Sequence, residues 1–284
     1  MQLKFLLLDG LITTSSNELE ETMAHKVVEG EFGKTHYWIH GDASELIVFT
    51  HGATMDHNLF QFQVEYFSKN YTVITWDVPL HGLSRPYTNF SLENAAIELF
   101  KIVNQENFSN VHLVGQSMGG YISQIFALKY PGLVKTITAV DSSPVQGSYY
   151  SKMDRWLLSI TPSILRLYPY KTLIQTIAAQ IAIDKQAKTY ALKTLGGLSK
   201  NEIAHIMEEV YQGLMQYRHD VKLSHPILII YGDRDRTGKV KSYCDRWAAR
   251  EKRELRVIAN AAHNSNMDNP ASFNALLDDF LKRS

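Results

Sequence analysis

The sequence predicts an α/β protein built on a mostly parallel sheet. Segments with strand and helix patterns alternate from residue 45 to residue 141, as they do in successive β-α-β units. Two strand segments, 45–50 and 226–232, are almost continuous apolar runs, which is typical of parallel strands buried on both faces. In residues 111–121, a β-branched run is followed by the pattern Gly-x-Ser-x-Gly and then by the start of a helical pattern. This combination indicates a sharp strand–turn–helix junction.

The other elements follow from periodicity and from turn residues. Ser91 is expected to cap a helix, because its hydroxyl can accept from the free N–H groups of the first turn. Pro270 is expected to start the last helix, where a missing N–H costs little. Further strands are predicted in two pieces within 26–41 and at 71–77, 134–141 and 255–258. Helices are predicted at 57–69, 91–107 and 238–250, after the 115–119 turn, and from 270 onward.

A long helical segment interrupts the alternation. The strand pattern stops near Ser142, and residues 149–217 are helical in pattern and rich in Leu, Ile, Ala and Tyr. Breaks between these helices are expected near Pro162, Pro169 and Gly196. The domains predicted are a first core part at 1–145, an inserted helical cap at 146–217 and a second core part at 218–284.

The cap is expected to govern which substrates fit. It carries more apolar side chains than helices exposed on one side require, so most are expected to pack on the core and some to line a pocket. Charge is scarce from 157 to 183, where Arg166 and Lys171 are the charged residues before Asp184. The apolar side chains considered are Trp156, Leu157, Ile160, Leu165, Leu167, Ile174, Ile177, Ile181 and Met207.

Composition excludes several classes of protein. The chain has 284 residues, 45% of them hydrophobic, with 29 basic and 29 acidic side chains, whereas a nucleic-acid binder needs a basic surface. No stretch approaches the roughly 18 apolar residues of a membrane span, and residues 1–10 are interpreted as a segment packed on the body. The single cysteine, Cys244, is expected to be packed. It cannot form an intramolecular disulfide, which fits a reducing compartment, so the cytoplasm is the expected location.

Ser117 is the candidate nucleophile. It is the serine of the Gly-x-Ser-x-Gly pattern, and a sharp turn at this point lifts a hydroxyl clear of the sheet edge. Gly115 and Gly119 lie two residues away on either side, where a Cβ would collide as strand and helix close up. The Met118 amide then lies at a helix N-terminus, facing the place where an oxyanion would form.

A serine nucleophile needs a histidine base steered by a carboxylate. His263 is the one histidine after residue 225, and it follows the strand predicted at 255–258. Asp233 and Asp235 both follow the strand at 226–232. Asp235 is favoured because it lies further into the loop, where it can reach the histidine, while Asp233 is placed to cap the turn. Asp141, at the end of the strand after the 115–119 turn, is the remaining alternative.

The other histidines suggest structural roles. His51 is expected to shape the loop after the strand at 45–50 by donating to the backbone, His81 lies in a turn, and His112 is expected at the surface. No histidine pair shows the metal-ligand pattern His-x-x-x-His with Glu. The sequence therefore predicts no metal and no cofactor, with a small molecule as the partner and an oligomeric state that stays open.

Taken together, these motifs resemble those of the α/β-hydrolase superfamily over nearly the whole chain. The matching pieces are His51-Gly52-Ala53, Asp77-Val78-Pro79 with His81-Gly82-Leu83-Ser84, Gly115-Gln116-Ser117-Met118-Gly119-Gly120, Gly232-Asp233-Arg234-Asp235 and Ala262-His263-Asn264. The resemblance implies that the amides of Ala53 and Met118 form the oxyanion hole, and it supports Asp235 as the acid. Members of the superfamily that have an aspartate nucleophile, such as epoxide hydrolases, differ from this chain, which has Ser117 at that position. The turn at Leu80 also departs from the glycine of many relatives.

The leading functional prediction is a serine hydrolase acting on a small, largely uncharged carboxylic ester. Ser117, His263 and Asp235 would form the triad and an acyl-enzyme would form on the serine. A carbon–carbon bond hydrolase of the same fold would use the same triad. A ligand sensor with slow turnover is an alternative of another class, and thioesterase, lactonase or perhydrolase activity also stays open.

Overall fold

An eight-stranded sheet forms the centre of the molecule. The computed structural model describes residues 23–217 and 222–284. The strands are β1 (Met23–Gly30), β2 (Gly33–His40), β3 (Leu46–Thr50), β4 (Thr72–Trp76), β5 (Val111–Gln116), β6 (Val134–Val140), β7 (Ile227–Gly232) and β8 (Glu254–Ile258). They lie in the order β1-β2-β4-β3-β5-β6-β7-β8. The pairs β1–β2 and β2–β4 are antiparallel and the others are parallel, so the predicted α/β-hydrolase fold class is confirmed.

Helices cover the sheet, and their described positions follow the predicted order. They are α1 (Gln61–Phe67), α2 (Leu92–Gln105), α3 (Met118–Lys129), α4 (Lys152–Leu167), α5 (Tyr170–Ile181), α6 (Lys185–Gly196), α7 (Lys200–Gln216), α8 (Val240–Glu251), α9 (Ser265–Asp268) and α10 (Pro270–Lys282). Ser91 caps α2 by accepting from the Asn94 N–H at 3.0 Å, as predicted. Within the described ranges, no helix is both long and apolar enough to cross a membrane.

The central strands form the core because both of their faces are covered. Every residue of β3, β4 and β5 is buried, as their apolar runs predict. His112 on β5 is also buried, at 1% exposure, so the expected surface position was wrong. Its Nδ1 and the Thr136 hydroxyl on β6 lie 2.7 Å apart, and the cross-strand neighbour explains how a polar ring fits in a buried strand. Cys244 is buried as expected.

The parallel strands bring their carboxyl ends to one edge of the sheet. Thr50 at the end of β3 pairs with Gly115 of β5, and Gln116 pairs with Val140 of β6. Val140 in turn pairs with Ile230 of β7. Residues that follow these strands therefore meet at one edge, which is where ligands bind in open α/β sheets.

The four helices α4–α7 lie between β6 and β7 in the chain, and we call Lys152–Gln216 the helical insertion. One predicted break was wrong, because Pro162 lies inside α4. The hydroxyls of Ser159 and Thr161 donate to carbonyls one turn earlier, at 2.7 Å each. The packing of α4 along α7 outweighs the local cost of proline in a helix.

The apolar side chains of the helical insertion divide between core and surface. Ile181 is buried, and Ile174 and Ile177 pack partly against the core. Trp156 and Leu167, however, are 55% and 82% exposed, so the expectation that each would pack on the core or line a pocket was wrong for them. Helical periodicity predicts that an apolar face turns towards the core, and these two side chains of α4 depart from that rule. The packing expected of residues 1–10 lies outside the described residues.

Candidate functional site

Ser117 occupies the tight turn between β5 and α3. Its φ of 51° lies in a region that residues with a Cβ adopt only at a cost. The Ser117 N–H donates to the Val140 carbonyl on β6 at 2.9 Å, and the Ser142 hydroxyl donates to the Ser117 carbonyl at 2.7 Å. These contacts hold the strained turn in place. Ser117 is half-buried between the fully buried Gln116 and Met118.

Two glycines allow the β3 loop to approach this turn. A Cβ on Gly119 would lie 2.0 Å from the Thr50 carbonyl oxygen at the end of β3. A Cβ on Gly52 would lie 2.0 Å from Gln116 Oε1 and 3.2 Å from the Ser117 Cβ. The Gly52 backbone therefore lies close to the serine turn, and a larger residue at position 52 would separate them.

His51 fixes the same backbone. Its Nε2 accepts from the Val78 N–H at 3.0 Å, so its Nδ1 carries the proton and donates to the Gly52 carbonyl at 2.8 Å. Burial lowers the pKa of His51 to about 4, which keeps the ring neutral. This is the backbone contact that the sequence predicted for His51. Ala53 follows in the chain, and the Met118 N–H lies in the first turn of α3, where N–H groups lack intrahelical acceptors.

His263 and Asp235 are brought together across two loops. His263 Nδ1 and Asp235 Oδ2 lie 2.9 Å apart, and both side chains are buried. Burial alone would lower the pKa of His263, but the Asp235 carboxylate outweighs it and raises that pKa above 6.5. Burial likewise opposes ionisation of Asp235, whose pKa the histidine nevertheless holds below its usual range. The pair is therefore arranged as a base steered by an ionised acid.

Gln116 links the histidine loop to the serine turn. Its Nε2 donates to the His263 carbonyl at 2.7 Å, although 147 positions separate the two residues. Because Gln116 directly precedes Ser117, this bond fixes the backbone of His263 relative to the serine. Sequence reasoning missed this residue, since the variable position of Gly-x-Ser-x-Gly carries no signal for it.

Asp141 lies beside the His263–Asp235 pair without binding the histidine. Its Oδ1 accepts from the Gly232 N–H at 2.8 Å, and its Oδ2 is 2.5 Å from the Ser265 hydroxyl. It thus joins the end of β6 to the Asp235 loop and to the histidine loop. The structure brings Asp235, and not Asp141, to the ring nitrogen of His263. Asp233 accepts from the Ala261 N–H at 3.2 Å, which fits the turn role predicted for it.

The buried carboxyls of Asp141 and Asp235 lie so close together that ionising both would carry a large free-energy cost. Burial, with the neighbouring Asp235 charge, raises the pKa of Asp141 to about 8, so Asp141 is the protonated member at neutral pH. Asp141, Asp235 and His263 also offer ligand atoms within 4.8 Å of one another. Those atoms already have partners in Gly232, Ser265 and each other, so protein contacts account for the cluster.

Asp141→Asn is expected to retain most of the activity, because its amide resembles the protonated carboxyl. A buried carboxyl whose pKa is raised in the folded state contributes its full stabilisation at pH values below its unfolded pKa near 4. This stabilisation is lost as the pH rises towards the folded pKa of about 8. The free energy of unfolding of wild type should therefore fall relative to Asp141→Asn between these pH values, measured by denaturant titration. Asp141→Ala should lower the free energy of unfolding by about 1–3 kcal/mol for each buried partner that it leaves unpaired. A large activity loss in Asp141→Asn would contradict this assignment.

The helical insertion contacts both loops of the site. The Asn264 N–H, next to His263, donates to the Ile181 carbonyl at the end of α5 at 2.7 Å. The Tyr190 hydroxyl of α6 donates to Asp56 Oδ1 at 2.9 Å, three residues after Ala53. The helical insertion is therefore tied to the edge of the sheet that carries the site.

A serine at a strand–helix turn on the carboxyl edge of such a sheet is the arrangement of α/β hydrolases. The protein-family model described as the alpha/beta hydrolase fold matches residues 45–270 of this chain, which is most of its length. The chain belongs to this family.

Individual relatives differ in activity. The chain is 23% identical over 270 residues to the dihydrolipoyllysine-residue acetyltransferase component of the acetoin cleaving system from Cupriavidus necator, covering 94% of this chain and 71% of that protein. It is 24% identical over 272 residues to a 2-hydroxy-6-oxononadienedioate/2-hydroxy-6-oxononatrienedioate hydrolase from Pseudomonas sp, covering 90% and 95%. Other relatives match over 32 to 40% of their own length.

The solved structures share the fold. A thermophilic esterase from Thermogutta terrifontis matches with a TM-score of 0.76 at 16% identity, covering 92% of this chain and 98% of that one. At this identity, the likeness establishes the architecture alone.

Proposed function

We propose that this protein is a serine hydrolase that cleaves small, largely uncharged carboxylic esters. The observation that carries the proposal is the buried contact of 2.9 Å between His263 and Asp235. This pair lies at the sheet edge where Ser117 is held at a positive φ. A neutral imidazole steered by a carboxylate is the base that a serine hydroxyl requires.

The reaction follows from these roles. The Ser117 oxygen bonds to the ester carbonyl carbon while its proton passes to His263 Nε2. Collapse of the tetrahedral intermediate expels the alcohol, which takes that proton and leaves an acyl-serine. Water, deprotonated by His263, then attacks the acyl carbon, releases the acid and restores the serine. Asp235 keeps the imidazole in the required tautomer and stabilises the imidazolium.

The amides of Ala53 and Met118 are proposed to bind the oxyanion. Each donor of this kind is worth roughly 3 kcal/mol in the transition state. The close approach of Gly52, which leaves no room for a Cβ beside Gln116 and Ser117, and the start of α3 at Met118 support the assignment. His51 would then preserve the hole by holding the Gly52 carbonyl turned towards its own ring.

The helical insertion is proposed to be a cap that selects substrates. Its contacts with Asn264 and Asp56 support this proposal. Arg166 is paired with Glu208 at 2.7 Å, so this cation has a partner in the protein. The scarcity of charge from 157 to 183 supports a preference for uncharged esters.

The fall of kcat/KM at low pH tests the proposed role of His263 as the base. Protonated His263 cannot accept the serine proton, so kcat/KM should fall as pH drops through its pKa. Because the net effect of Asp235 is to raise that pKa above 6.5, the midpoint of this fall is expected above 6.5 in an assay on a neutral ester. A midpoint below this value would contradict an ionised Asp235 beside the histidine.

Carbon–carbon bond hydrolysis is the second candidate, favoured by the match to the Pseudomonas hydrolase over 95% of its length. The same triad could serve a diketone, so turnover separates the two. A screen of short and medium acyl esters alongside a vinylogous diketone is expected to show turnover of the esters alone. Turnover of the diketone alone would instead support carbon–carbon bond hydrolysis, and saturable binding without turnover would indicate a ligand sensor.

A further inference from the structure

The outer face of α4 carries an apolar surface that the fold does not use. Five large side chains on this helix are exposed, with Leu167 at 82%, Met153 at 60% and Trp156 at 55%. We call this set the α4 stripe; its members are Met153, Trp156, Leu157, Ile164 and Leu167. Tyr168, directly after the helix, is exposed beside it.

The α4 stripe is a second apolar face of this helix. Its members lie at spacings of three, four and seven residues, with Trp156 and Leu157 adjacent, so they form one face. The inner face packs Leu158 and Leu165 against the core and carries the buried Asp154 and Pro162. Contiguous exposed apolar surface of this kind marks an interaction site.

The acidic charge on α4 itself is buried and neutralised. Asp154 is the one acidic residue of α4, and it binds the Ser151 cap and the Lys239 ammonium at 2.7 Å. Lys152, at the start of α4, and Lys171, at the start of α5, are exposed at the two ends of the α4 stripe. The apolar face is therefore flanked by positive charge.

A second copy of the chain fits this surface poorly. The helix face is about 24 Å long and about 10 Å wide, well short of the roughly 800 Å² per partner of a stable dimer. Two-fold pairing of the helices would also place Lys152 against Lys152 or Lys171 of the other copy. Like charges would then meet across an apolar seam with no exposed carboxylate on α4 between them.

We propose that the α4 stripe docks on an anionic lipid surface. An apolar helix face lies in the boundary between head groups and acyl chains, buried by about 5–10 Å. Trp156 and Tyr168 suit the interface, where amphipathic aromatic rings collect. Lys152 and Lys171 would meet anionic head groups, which attract basic side chains near the membrane surface. The docking does not depend on the hydrolase chemistry.

Vesicle binding by the full chain tests this proposal. The probe is phosphatidylcholine vesicles with a minor share of phosphatidylglycerol, and the readouts are the pelleted fraction and tryptophan emission. Trp156 is the exposed one of the four tryptophans, since Trp38, Trp76 and Trp247 are buried. Wild type and Ser117→Ala are both expected to pellet with the vesicles and to shift their emission to the blue.

Two substitutions and a matched control define the surface. Leu167→Gln and Leu167→Glu are each expected to lower the affinity at least tenfold, because burying one leucine contributes about 1.5–3 kcal/mol. Val257→Glu, at an apolar side chain on β8 that is 47% exposed, should bind as wild type. Circular dichroism checks that each variant is folded.

Several outcomes would overturn the proposal. No pelleting and no emission shift would exclude lipid docking, and an equal loss in Val257→Glu would show that the stripe is not the contact. A wild-type dimer in light scattering that Leu167→Gln converts to a monomer would assign the stripe to a second copy instead. Loss of ester turnover in Ser117→Ala with docking intact separates this proposal from the catalytic one.

Discussion

Ser117→Ala is expected to lower kcat for ester hydrolysis to about a thousandth of the wild-type value or less. The residue supplies the oxygen that bonds to the acyl carbon, and alanine leaves only the binding site and the oxyanion donors. The turn itself should survive, because the contacts that hold it are made by the Ser117 backbone N–H and carbonyl. Steady-state kinetics on a short acyl ester would measure the loss.

A covalent probe makes the test specific to the nucleophile. A fluorophosphonate is expected to label wild type on Ser117 and to leave Ser117→Ala unlabelled. Ser142→Ala is a useful comparison, since it removes the hydroxyl that binds the Ser117 carbonyl at 2.7 Å but leaves the nucleophile. It should still be labelled, more slowly. Undiminished labelling of Ser117→Ala would show that another residue is the nucleophile.

Sequence patterns predicted the central sheet well because the signal is local. The apolar runs of β3 and β7 and the turn at Ser117 each depend on residues that are neighbours in the chain. His112 shows the limit of this reasoning, since a polar residue at the start of a strand gives no sign that Thr136 will pair with it. Pro162 shows the same limit, because packing against a distant helix decides its place.

The contacts around the site are long-range and could not be deduced from spacing. Gln116 reaches the His263 carbonyl across 147 positions, and Asp141 reaches Ser265 across 124. The arrangement of β5, β6, β7 and β8 brings these residues together. The sequence could therefore indicate the serine, the histidine and Asp235 as the favoured acid, while the contact of His263 Nδ1 with Asp235, and not with Asp141, is seen in the structure.

Asp235→Asn is expected to lower kcat by several orders of magnitude, about 10⁴-fold, with the fold retained. The Thr237 N–H donates to Asp235 Oδ1 at 2.7 Å, while Oδ2 faces His263 Nδ1 at 2.9 Å. In the variant, the amide oxygen must stay at Oδ1 to satisfy Thr237, so the NH₂ group is directed at the imidazole. The ring then accepts at Nδ1 and carries its proton on Nε2, and it can no longer take the serine proton.

The matched control is Asp233→Asn, two residues earlier in the same loop. The Asp233 carboxylate accepts from the Ala261 N–H at 3.2 Å, and an amide oxygen can do the same, so kcat should change little. Residual activity of Asp235→Asn should also show an acid limb at lower pH than wild type, because the carboxylate that raises the His263 pKa is gone. The reverse ranking of the two variants would move the acid to Asp233. Two mild effects would leave Asp141, whose carboxyl lies within 4.8 Å of both triad partners, as the group that steers the histidine.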